Sequence, residues 1–101
     1  MTHVIFVKKI LADGAPCKKC NEVSDRLVKD ELMASINHIA IADQRDPESE
    51  GMRLALEYKV ERAPFFVVEN DADETLVFDI YFKFKGYMAE LNNTDKPSSS
   101  L

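Results

Sequence analysis

Gly14-Ala15-Pro16-Cys17-Lys18-Lys19-Cys20 holds both cysteines of the chain, with a lysine at each of the two positions between them. What lies on either side decides what the pair is. Upstream, Val4-Ile5-Phe6-Val7 is a continuous apolar run rich in β-branched residues, the pattern of a strand covered on both faces, and it extends toward Ile10. Asp13-Gly14-Ala15-Pro16 is a turn, because Gly tolerates positive φ and Pro fixes φ. Downstream, Val23, Leu27, Val28 and Leu32 recur at helical spacing, opposite Glu22, Arg26, Lys29 and Asp30. The two cysteines therefore stand at the start of a helix that follows a buried strand.

That position has chemical consequences. Backbone N–H groups point outward at a helix start and the helix dipole is positive there, so a thiolate at Cys17 is favoured. Lys18 and Lys19 add positive charge beside it. A free thiol ionises near about 8.5, and helix starts and C-x-x-C motifs bring this to roughly 3.5–7.5. Cys20 falls nearly one turn later, close enough to form a disulfide with Cys17. Cys17, at the exposed lip, is the expected attacking thiol, and Cys20, one turn in, the expected resolving thiol. Two inert cysteines are the bland alternative. A structural zinc site needs four ligands, and the remaining candidates, His3 and His38, lack ligand spacing. No metal or other cofactor is expected within one chain, although a metal shared between two chains could use the pair.

The composition bounds the rest. At 101 residues the chain makes one small domain, of a size that buries roughly 60–70% of its unfolded surface. The 46% of hydrophobic residues suits a globular protein. A formal charge of −5 gives no long-range attraction for phosphate backbones or anionic lipid, so no nucleic acid and no membrane partner is expected. Met1-Thr2-His3 offers no basic leader, and the run Val4 to Val7 is too short for a signal peptide or a membrane span. The expected location is cytoplasmic, where a C-x-x-C is more often catalytic or metal-binding than a structural disulfide.

Farther along, Ile36 to Ala42 reads as a second strand. Asp46-Pro47 reads as an N-cap and first-turn proline opening a helix that carries Met52, Ala55, Leu56 and Val60. Pro64 to Val68 is a third, buried strand, and Asn70 to Glu74 a polar loop. Leu76, Phe78, Ile80, Phe82 and Phe84 then alternate with Val77, Asp79, Tyr81, Lys83 and Lys85, the period of a fourth strand. Tyr81 to Leu91 also fits the beginning of a last helix. The order is β-α-β-α-β-β-α, with a parallel first pair of strands and a final hairpin. Residues 1–91 form the expected domain, and 92–101, ending in Lys96-Pro97-Ser98-Ser99-Ser100, a flexible tail. Base rates alone make Ala63-Pro64 a trans bond at a strand's first residue.

The order of elements, the C-x-x-C after the first strand and the proline opening the third together resemble the thioredoxin-like superfamily, closest to the glutaredoxin type, over about residues 3 to 91. The resemblance implies a three-layer α/β/α sandwich around a four-stranded mixed sheet. It also implies that Pro64 is cis and faces the cysteines, that Cys17 is the nucleophile and Cys20 the resolving thiol, and that Ala63 and Pro64 dock substrate. The motif departs from the common ones. Pro16 stands for the tryptophan of W-C-G-P-C, Lys18-Lys19 for its Gly-Pro, and Leu11 for the buried acid six residues upstream. Against glutaredoxin's C-P-Y-C, T-V-P and Gly-Gly stand C-K-K-C, R-A-P and a lone Gly86, and C-G-F-S is absent. The expected function is thiol–disulfide oxidoreduction through Cys17 and Cys20, on a disulfide-containing protein, with glutathione or a thioredoxin-reductase-type donor as reductant. The rivals are a redox-inactive interaction module using the Ala63–Phe66 edge, and metal handling through the pair.

Overall fold

The apolar run near the amino end is an interior strand. The computed structural model describes residues 2–94, in which β1 (His3–Ile10) is followed by α1 (Lys18–Lys29), β2 (His38–Asp43) and α2 (Glu50–Tyr58). The hairpin β3 (Phe65–Glu69) and β4 (Thr75–Phe78) and the helix α3 (Tyr81–Thr94) complete the order. The strands form one sheet in the order β2-β1-β3-β4. β1 runs parallel to β2, with Phe6 beside Ile39, and antiparallel to β3, with Phe6 beside Phe66. The sheet is therefore mixed, as expected.

Alternation along the two interior strands divides the core into two layers. Val4 and Phe6 of β1 and Phe66 and Val68 of β3 meet Val23 and Leu27 of α1 and Phe84 and Met88 of α3. Val7, Phe65 and Val67 point the other way, with Ala40 and Ala42 of β2, against Met52, Leu54, Ala55 and Tyr58 of α2. Helices thus cover both faces of the sheet, and the architecture is an α/β/α sandwich.

Several expectations shift locally. The second helix opens at Glu50 behind Ser49, not at Asp46-Pro47. Asp46 instead closes a turn: its carboxylate accepts from the Glu48 N–H at 3.0 Å and its carbonyl from the Ser49 N–H at 3.0 Å. Val28 and Leu56, expected on buried helix faces, lie in solvent at 63% and 81% exposure. α1 ends at Lys29, so the pattern through Leu32 crosses a helix end, where Glu31 takes φ 59° and swings Leu32 into the core. The fourth strand stops at Phe78, and the open alternative of a last helix holds from Tyr81. That helix runs to Thr94, beyond the boundary expected at residue 91; residues 95–101 of the expected tail lie outside the described residues.

Candidate active site at the cysteine turn

The loop between β1 and α1 folds back on its own strand. Gly14 takes φ 86°, a left-handed value that glycine adopts at no steric cost, and its N–H donates to the Leu11 carbonyl at 2.8 Å. Pro16 then bridges back to Ile10, and the Cys17 N–H donates to the Lys9 carbonyl at 3.3 Å. Cys17 is thereby fixed as the N-cap of α1, where its Sγ accepts from the Cys20 N–H at 3.4 Å. A thiol in place of the usual Ser, Thr, Asp or Asn caps the helix with the atom that would react.

The two sulfurs have opposite surroundings. Cys17 is half-buried, and Cys20 is 1% exposed. Burial raises the Cys17 thiol. Hydrogen bonds from the Cys20 N–H, the Cys20 thiol and the Lys19 N–H, together with the charge of Lys9, outweigh that and hold it below the usual cysteine value. Burial pushes Cys20 up to about 11, and a hydrogen bond and charge from Cys17 add to it, against a partial offset from the Lys9 N–H. That N–H donates to the Cys20 Sγ at 3.3 Å.

Lys9 is the residue the sequence reading missed. Its carbonyl holds Cys17, its N–H holds Cys20, and its ammonium favours the Cys17 thiolate. Lys18 and Lys19 are both exposed, and Lys19 contributes through its backbone N–H. A strand neighbour eight positions before Cys17 carries no motif signal; only the turn at Gly14 brings it back.

The Ala63–Pro64 bond is cis, as the resemblance implies and base rates do not. Pro64 is buried and Ala63 half-buried. Among the described residues the Ala63 N–H and C=O take no hydrogen-bond partner. Phe65 and Phe66, by contrast, are 1% exposed and paired in an interior strand, so the edge expected over Ala63–Phe66 ends at Pro64. A cavity of about 580 Å³ joins Ala63 and Pro64 to Lys19 of the cysteine turn. No group of three or more metal-ligating side chains occurs among the described residues, and no helix among them is long and apolar enough to cross a membrane.

No family model matches the chain, and no curated protein matches it in sequence. Among solved structures it is similar to thioredoxin f2 of Chlamydomonas reinhardtii, at a TM-score of 0.51 over 96% of this chain and 82% of that one. The fold is thioredoxin-like. At 13% identity the likeness concerns the fold alone. In this thioredoxin-like frame the cysteine pair at the start of α1 is near enough for the N-cap hydrogen bond and lies within a single helical turn.

Proposed function

We propose that this protein is a cytoplasmic thiol–disulfide oxidoreductase that acts on a protein partner through Cys17 and Cys20. The observation that carries the reading is the N-cap geometry, in which one hydrogen-bonded cysteine is half-buried with a lowered pKa and the other is buried with a raised one. A nucleophile must be a thiolate, and the resolving thiol must keep its proton until needed. In the reductive direction the Cys17 thiolate attacks one sulfur of a substrate disulfide, and the other substrate sulfur leaves as a thiolate that takes up a proton. Cys20 then loses its proton and attacks the Cys17 sulfur. The second substrate thiol is released, and two electrons have passed to the substrate, leaving a Cys17–Cys20 disulfide. A glutathione or thioredoxin-reductase-type donor returns them.

The unpaired N–H and C=O of Ala63 suit main-chain pairing with an extended substrate segment. Glutathione capture needs donors for two carboxylates, and the turn between β4 and α3, where a Gly-Gly pair would supply one set, is Asp79-Ile80; the lone Gly86 lies inside α3. This favours a protein over glutathione as substrate. Cys20→Ser tests the reading: Cys17 in that variant should alkylate with a pH midpoint below that of a free thiol and should accumulate a protein mixed disulfide in cell extract. A midpoint at or above the free-thiol value removes the case for Cys17 as nucleophile. Glutathione alone on Cys17, with efficient turnover of glutathionylated substrates, removes the case for a protein partner.

A further inference from the structure

Phe82 is the one exposed phenylalanine of six, at 70% exposure, and Ile80 beside it is 46% exposed. Both line the 580 Å³ cavity that Lys19, Ala63 and Pro64 also line. The apolar wall is held in place. The Tyr81 hydroxyl donates to the Asp30 carboxylate at 2.6 Å, which ties the start of α3 to the end of α1, and Lys85 sits 3.3 Å from the same carboxylate. Arg26 lies over both rings, 6.0 Å from the Tyr81 centroid and 5.8 Å from that of Phe82. The result is a rigid shelf of two aromatic rings under a guanidinium, open to solvent.

The groove carries charges of both signs. Glu22, Asp25 and Asp79 line it together with Lys19, Arg26 and Arg62, so the groove as a whole is near neutral. At the thiol end Lys19 and Arg62 line the groove with Ala63, and Lys9, whose charge reaches Cys17, lines an adjoining cavity with Arg62, Ala63 and one acid, Glu61. None of the three cations has a carboxylate partner among the described residues.

We propose that this groove selects the disulfide-bearing partner by side chain. Its occupant is an extended protein segment that pairs with Ala63, carries an acidic residue beside the reacting cysteine, and seats a bulky apolar side chain on Ile80 and Phe82. Those two residues are the specificity-determining contacts. The inference rests on the oxidoreductase reading and deepens it. An apolar side chain laid on the shelf removes exposed apolar area from water, and the acidic residue meets the cations at the thiol end. Glutathione has carboxylates for that end but nothing for the shelf.

The test uses the full chain carrying Cys20→Ser, so that the reaction stops at the mixed disulfide. Two ten-residue peptides, each with one cysteine activated as a small aromatic disulfide and a neighbouring glutamate, differ only in having leucine or serine two residues away. Oxidised glutathione is the third substrate. The leucine peptide should form the Cys17 adduct about tenfold faster than the serine peptide, the scale of burying one aliphatic side chain in part. Adding Phe82→Ser should bring the leucine peptide down to the serine peptide's rate, whereas Leu56→Ser, an exposed apolar residue on α2, should preserve the preference. Equal rates for the two peptides, or a preference that survives Phe82→Ser, overturns the proposal while leaving the oxidoreductase reading in place. Failure of Cys17 to react with any of the three disulfides overturns that reading, and the proposal with it.

Discussion

The two faces of the sheet are covered in different ways. On the α1/α3 face the cover is thick and aromatic: Phe66 stacks on Phe6 with centroids 5.0 Å apart and on Phe84 at 3.9 Å, and Phe78 meets Phe84 edge-on. On the α2 face small residues let helix and strand approach closely. A Cβ placed on Gly51 would stand 2.3 Å from the Ala42 backbone nitrogen and 2.5 Å from the Ile41 carbonyl carbon. One face is stabilised by the area that it buries, the other by closeness. The cysteine turn, the groove wall and the exposed shelf all belong to the thick face, where large side chains separate two helices enough to leave a cleft between them.

The sharpest way to break this contrast is Phe66→Ala, which removes the middle ring of the stack. A loss of about 3–5 kcal/mol is expected, read from denaturant unfolding. A loss under about 1 kcal/mol would mean that the stack is not what holds α3. On the other face Gly51→Ala should destabilise by roughly 1–3 kcal/mol through overpacking against backbone that cannot rotate away. Were it to stabilise, as Gly→Ala does at an uncrowded helix position, the close approach of α2 would be refuted.

The site itself offers a third test. Cys20 has its pKa raised from the ordinary 9.0 to about 11 by burial first. Between those values the unfolded chain releases this proton and the folded chain keeps it. The contribution to stability is therefore whole below about pH 9 and is lost as the pH rises to about 11. The reduced protein should lose on the order of 2 kcal/mol across that window relative to Cys20→Ala, measured as the difference between their unfolding free energies. Parallel curves for the two proteins would place Cys20 in water. The smallest effect expected is that of Leu56→Lys on the outer side of α2, within about 0.5 kcal/mol of the parent. With Gly51→Ala, it asks whether one helix tolerates nothing on its inner side and anything on its outer side.

Much of this could be read from residues alone. β1 and β3 were legible because strands buried on both faces are apolar without interruption, and the cysteine turn because Gly14 and Pro16 punctuate it. The segment after Phe78 was ambiguous for a physical reason. Ile80, Phe82 and Phe84 continue the alternation of β4, but in a helix two residues turn about 200°, not a full circle, so Phe84 and Phe82 face differently. Phe84 and Met88 go into the core and Phe82 into solvent. The groove followed from that rotation and could not be foreseen from the pattern.

The sequence by itself determined the alternation that gives the sheet two buried faces, the place of both cysteines at the first turn of a helix, and the proline that opens the third strand. These are local matters of period, turn chemistry and spacing. Only the tertiary structure decided which charge serves Cys17, which helix faces end in solvent, and that Tyr81 is anchored to Asp30 across 51 positions. Each depends on residues far apart in the chain meeting at one point, and the strength of a hydrogen bond or a charge depends on distance and burial, which no local pattern of residues encodes.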